Sequence, residues 1–266
     1  MNGKTWTILA ASLAAALAAS PAGADEVAAG SHAVSTNVGI ASQYVFRGLT
    51  QTNERPALQG GIDYAHASGA YAGAWLSNVN WVADVIPDAS ASLEADFYAG
   101  FRKTWESSGI TGDVGFLRYQ YPGSYPALPA GTVKPHSDEA YMAVGWKRLN
   151  LKYSYSLGDL FGVEDSEGSG YLDLTLTIPL PASLSLVLHA GQQTYDGAST
   201  AAQLAGTDND SLFSYEDYRA TLNYGFANGW TASATFSTTT AKDAGYLVHG
   251  SNLGDDQVVI ALLKTL

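Results

Sequence analysis

The sequence predicts an all-β fold: a transmembrane, antiparallel, up-and-down β-barrel of about twelve strands. Three observations carry that expectation. Apolar and polar residues alternate with a period of two through most of the chain, short and long connections alternate between those segments, and only 14% of the 266 residues are charged. An ordinary soluble domain carries roughly 25%. Mean hydropathy is nonetheless near zero, because Ser, Thr, Gly, Asn and Tyr replace the missing charge. Such a chain is too polar for a helical membrane protein and too weakly charged for a typical soluble surface.

The first element is a leader. Lys4 supplies a positive start, Ile8 to Ala19 is an Ala/Leu-rich apolar run, and Ala22-Gly23-Ala24 is a small-residue cleavage site. This reads as a signal peptide over 1–24, leaving 25–266 as the barrel and directing it to the outer membrane. The apolar run is shorter than the roughly 20 residues a helical span needs. The chain has no Cys, which leaves no disulfide, thiolate metal site or lipid-modified cysteine.

The strands follow in order. In 34–47, Val34, Thr36, Val38, Ile40, Ser42, Tyr44 and Phe46 share one face, and Arg47 closes the other. A strand separates these sets, whereas helical spacing would mix them. Leu93 to Phe101 opposes Glu94, Asp96 and Arg102. Leu149 to Tyr155 opposes Lys152, Leu172 to Leu180 opposes Asp173, and Tyr218 to Phe226 opposes Asp217 and Arg219. Trp230 to Phe236 alternates in the same way. Weaker alternation covers 57–66, 70–80, 110–121, 138–148, 183–193 and 256–266. Each segment is long enough for the roughly 9–11 residues of a tilted membrane strand.

Connection lengths set the topology. Longer segments at 48–56, 81–91, 122–137, 158–169, 194–214 and 241–255 alternate with short turns at 67–69, 105–109, 148–149, 181–182 and 227–229. An up-and-down barrel has short periplasmic turns and longer outer loops. A sandwich has no reason to segregate loop length by end. Tyr64, Tyr71, Trp105, Trp146, Phe226 and Trp230 lie beside short turns. Tyr44, Phe46, Trp81, Tyr119, Tyr121, Tyr155 and Tyr195 lie near the long-loop end. Two aromatic belts at the membrane interfaces are the expectation.

The polar strand faces are small, glycine-rich and dotted with opposite charges, which suits an enclosed lumen where glycine leaves room. A hydrocarbon surround forbids unpaired strand edges, so the sheet must close. The inward basic set is Arg47, Arg102, Arg118, Lys152 and Arg219; the acidic set is Asp63, Glu94, Asp96, Glu139, Asp173 and Asp217. Five against six predicts a wall with little preference for ion sign, with Arg47 bracing Glu94 or Asp96 as one structural alternative. Twelve strands fall between eight, which side chains fill, and sixteen, which leave an open channel.

At this point several blocks resemble a known family, the TorF-like porins, bacterial proteins of unknown function. They are Asn37 to Gly48 with Thr50-Gln51-Thr52, Pro56 to Tyr64, Tyr71 to Val79, and Tyr119 to Gly123. The resemblance implies an outer-membrane barrel with pore activity, and it supplies neither a substrate nor catalytic residues. It is strongest in the N-terminal half. The final strand departs from the usual barrel-assembly ending, closing on Leu266 rather than an aromatic residue.

The expected function is passive passage of small hydrophilic solutes through a narrow lumen in outer-membrane lipid. No cofactor or metal is expected, and the oligomeric state is left open. A net charge of −12 excludes a nucleic-acid partner, which needs a basic footprint. The long loops hold twelve acidic residues against Arg55, Lys134 and Lys242, an acidic mouth that should concentrate cations. Asp159 with Glu164, Asp165 and Glu167, and Asp208-Asn209-Asp210, lack the spacing of a calcium loop. A non-conducting barrel whose acidic loops bind a ligand is the alternative. An enzyme reading would need His189 with Ser185 and Asp173, but no nucleophile motif accompanies them.

Overall fold

A computed structural model describes residues 32–266; the leader expected over 1–24 lies outside the described residues. The strands in chain order are β1 (His32–Ala41), β2 (Val45–Phe46), β3 (Leu49–Thr50), β4 (Ala57–His66), β5 (Ala70–Asn78), β6 (Leu93–Trp105), β7 (Ile110–Gln120) and β8 (Ser137–Trp146). They continue as β9 (Leu149–Ser156), β10 (Gly170–Pro179), β11 (Leu184–Thr194), β12 (Tyr215–Gly225), β13 (Trp230–Thr239), β14 (Leu247–Val248), β15 (Ser251–Asn252) and β16 (Gln257–Thr265). Twelve of them, β1, β4 to β13 and β16, form a closed antiparallel barrel, with β1 paired to β4 on one side and to β16 on the other. The expected strand number and class hold.

Closure is what this alternation demands. Val34 and Val258 are each 64% exposed and Met142 62% exposed, on faces whose neighbours in register are also apolar. Left in water, such a band would be an aggregation surface; in hydrocarbon it is the outer wall of a barrel. The opposite faces point inward: Glu94, Asp96, Glu139, Ser154, Asp217 and Thr235 are buried. Connections alternate as expected, from two residues at Lys147-Arg148 to the segment between β11 and β12, which folds into α2 (Thr200–Leu204) and α3 (Asn209–Phe213). Two more short helices, α1 (Trp81–Val85) and α4 (Asp243–Tyr246), lie in other long loops.

Two expectations about the inside change. Glycine does not leave the lumen empty, because tyrosine rings lie over it. A Cβ added at Gly73, Gly100, Gly115 or Gly191 would come within 2.5 to 2.7 Å of ring carbons of Tyr98, Tyr71, Tyr141 and Tyr171 respectively. The belt at the long-loop end is also mostly absent. Tyr155 is exposed, but Tyr44, Tyr119, Tyr121 and Tyr195 are buried inside, as is Tyr71 near the short turns. Tyr64, Trp105, Trp146, Phe226 and Trp230 do form an exposed ring at the short-turn end. The difference lies in the loops, which curl over the mouth and give the upper rings an apolar interior to enter.

Candidate functional site

The first strand ends six residues earlier than its alternation suggests. After Ala41, Ser42 still pairs with the wall, its N–H donating to the Ile260 carbonyl at 2.8 Å and its hydroxyl accepting from the Ile260 N–H at 3.0 Å. The chain then turns into the lumen. β2 and β3 form a hairpin whose two-residue turn is Arg47-Gly48, with φ of 46° and 79°. Positive φ at both positions is the type I′ arrangement that matches strand twist, and glycine accepts it readily. A Cβ at Gly48 would collide with Thr239 and come within 2.8 Å of Asp217 Cβ. The hairpin tip is seated against β12 and β13.

Arg47 at that tip crosses the barrel. Its Nη2 lies 2.8 Å from Glu139 of β8, and its Nη1 donates to Gln193 Oε1 of β11 at 2.8 Å. Tyr171, Phe46 and Phe161 place their rings 4.2, 4.9 and 5.5 Å from the guanidinium carbon. The two charged side chains are 6% and 2% exposed. At this level the lumen is narrowed by a segment that is not part of its wall. Arg47 braces Glu139, not Glu94 or Asp96.

Those two carboxylates stand on β6 beside the plug. Tyr44 donates to Glu94 Oε1 at 2.9 Å. Among the described residues, Glu94 Oε2 and both Asp96 oxygens are buried without a hydrogen-bond partner. An isolated buried carboxylate is costly unless a cation, a proton or water meets it. Lower in the lumen, Arg102 and Asp113 pair at 2.6 Å, with Tyr71 donating to Asp113 at 2.6 Å. Asp113 was missed in the sequence, yet the short turn after Trp105 sets Arg102 opposite Asp113 in register. Lys152 faces inward across from Asp173, its ammonium 4.2 Å from the Tyr141 ring.

His189 is held by acids rather than poised beside a nucleophile. Its Nε2 lies 2.9 Å from Asp217, which also accepts from Tyr171 at 2.7 Å, and its Nδ1 lies 3.4 Å from Asp173. Ser185 is four residues away on the same strand, about 13 Å at the usual rise. Arg219 faces His189 across the β11–β12 ladder.

Arg118 is corrected. It is in register with Phe97, which is 51% exposed on the outer face. Its partner Asp138 is 2.8 Å away, the two side chains being 42% and 35% exposed. The pair sits outside, at the loop end of β7 and β8. The weak alternation of 110–121 misplaced it because Gly112 and Gly115 blur the two faces. With Arg118 removed and Asp113 added, four basic groups (Arg47, Arg102, Lys152 and Arg219) face seven acidic ones (Asp63, Glu94, Asp96, Asp113, Glu139, Asp173 and Asp217) among the described residues. The interior is acidic rather than balanced.

The acidic loops are interlocked. Asp159 accepts from the Ser166 N–H at 3.0 Å, Asp165 from Ala198 at 3.1 Å and Glu164 from Thr200 at 2.9 Å. Hydrogen bonding from the Thr200 hydroxyl, then from its N–H, holds the Glu164 carboxyl below its ordinary pKa. Asp208 caps α3 by accepting from Ser211 at 2.8 Å. In the loop between β7 and β8, His136 Nδ1 accepts the Tyr121 N–H at 3.1 Å. Burial, then nearby Arg118 and Lys134, lower its pKa below 6.5. The opened loop therefore binds more protons, and loop stability is complete above about pH 6.5 and lost as pH falls through the lowered value. Limited proteolysis of 121–136 should accelerate on acidification, and His136→Asn, which keeps an acceptor, should remove that dependence.

Comparison with known proteins agrees with this architecture. The KdgM porin superposes with a TM-score of 0.51 at 8% identity, covering 86% of this chain and 98% of that one. The NanC porin gives 0.51 at 11%, covering 87% and 98%. An outer membrane channel from Pseudomonas putida F1 gives 0.50 at 11%, covering 91% and 98%. These likenesses are of fold. No curated protein matches the chain. A family profile described as "Bacterial protein of unknown function (Gcw_chp)" matches residues 25–266, the span the sequence assigns to the barrel, so the chain belongs to the Gcw_chp family.

Proposed function

We propose that the protein is a porin-like channel of the outer membrane, passing small hydrophilic solutes through a narrow, acidic lumen. The observation that carries this reading is a closed barrel with an apolar outer face and a polar, charged inner one. Residues 1–24 export it, and outer-membrane lipid surrounds it. Seven inward acids against four bases, under acidic loops, favour cations and neutral solutes over anions. KdgM is described in complex with oligogalacturonate, a polyanion; the present lumen is the wrong sign for such a solute. Glu94, Asp96, Asp173 and Asp217 set that preference, with Arg47, Arg102, Lys152 and Arg219 as the paired positive groups.

The hairpin layer at Arg47 favours a second reading, a barrel that does not conduct and binds ligands at its loops. Planar-bilayer recording of refolded protein decides between them. Small, reproducible conductance steps are expected, with a reversal potential in a KCl gradient that marks cation selectivity. Glu94→Gln with Asp96→Asn should reduce that selectivity. A folded barrel that gives no steps would overturn the channel reading. No enzymatic role follows from the His189 cluster, whose groups are occupied with one another.

A further inference from the structure

The six long loops meet in one chamber above the plug, and each contributes an aromatic ring: Phe46, Trp81, Tyr121, Phe161, Phe213 and Tyr246. The rings form three edge-to-face pairs. Phe46 and Phe161 are 5.6 Å apart at 82°, Trp81 and Tyr121 5.2 Å at 85°, and Phe213 and Tyr246 6.3 Å at 83°. Paired rings brace each other, so the walls resist collapse. The space between them is about 150 Å³ and is partly open to solvent.

Close-packed interiors leave few voids larger than a water molecule. A loop core formed only to cover the barrel would fill this one. An apolar cavity of roughly 150 Å³ is large enough for a benzene-sized guest. Besides its tyrosines and Trp81, the polar side chains on the wall are Arg47, Gln51, Thr132 and Gln193. Arg47 is already neutralised by Glu139, and Gln193 donates to the Gly170 and Thr194 carbonyls at 3.0 and 3.1 Å. No uncompensated charge therefore calls for an ion. The acidic loops repel an anion, and the largely apolar wall offers a cation no free counter-charge.

We propose that this chamber binds a neutral molecule the size of one aromatic ring, of which a phenol is the simplest example. The site does not require the barrel to conduct, because the Arg47 layer is part of its wall and it would fill equally in a closed barrel.

The test is a ¹⁹F NMR titration of 4-fluorophenol at pH 7 against the refolded protein in detergent micelles, with heat-modifiable gel mobility confirming the barrel. The expected result is a saturable signal absent from empty micelles, competed by phenol and not by benzoate. Ala201→Trp and Val248→Trp fill the chamber from two different loops, and each should weaken binding at least tenfold while the barrel stays folded. Should one variant fail to fold, the other carries the comparison. The proposal is overturned by the absence of a saturable component, by unchanged affinity in a folded filling variant, or by benzoate competing as well as phenol. Binding without conductance would overturn only the channel reading, and conductance without binding only this one.

Discussion

Gly48→Ala should open the barrel. The new methyl group would collide with Thr239 and crowd Asp217, and the residue would carry a positive φ of 79°, which non-glycine residues rarely adopt. The wall cannot yield easily, since β12 and β13 are paired along their length. The hairpin has more freedom, because β2 and β3 pair only over Val45–Thr50 and Phe46–Leu49. The tip should therefore lift, drawing Arg47 out of the lumen. In planar bilayers the expected result is conductance steps several-fold larger than wild type with an unchanged folded barrel. Steps of wild-type size from a folded Gly48→Ala protein would show that the hairpin does not set the narrowest section.

Arg47→Ala has the second large effect, and it falls on stability. It strands Glu139, whose side chain is 2% exposed, in an interior without its counter-charge. Removing one member of a buried ion pair costs about 3–5 kcal/mol. Replacing both members by apolar residues of similar size is often close to neutral, so Arg47→Met with Glu139→Leu should recover most of the loss. Urea unfolding in lipid vesicles measures the cycle. Equal destabilisation of the single and double variants would mean that the rings of Tyr171, Phe46 and Phe161 around Arg47, rather than the charge pair, hold the plug.

Much of the wall was legible in the sequence. Leu93 to Phe101 against Glu94 to Arg102 sorted into lipid and lumen faces because a closed barrel in hydrocarbon penalises every exception. Loop lengths separated the two ends for a related reason: a tight hairpin and a long loop must leave opposite rims. The plug was not legible. Residues 42–47 keep a period of two, and that period is equally true of a barrel strand and of a small hairpin inside one. The signal that separates them is Arg47-Gly48 between Val45-Phe46 and Leu49-Thr50, a two-residue turn flanked by strand formers. Tyr119 and Tyr121 misled in another way, since an amphipathic ring at the loop end suits a membrane interface and a covered vestibule alike.

The sequence by itself determined a closed antiparallel barrel, the face of most strands and the acidity of the mouth, because each of these is a local pattern enforced by one solvent or another. Only the tertiary structure decided what fills the barrel. Arg47 meets Glu139 across 92 residues of sequence, Tyr71 meets Tyr141 across 70, and six separate loops share one apolar chamber. Alternation records which side of a strand a residue faces and carries no information about what stands opposite it across the lumen. The pairings that govern opening and binding therefore exist only once the barrel has closed.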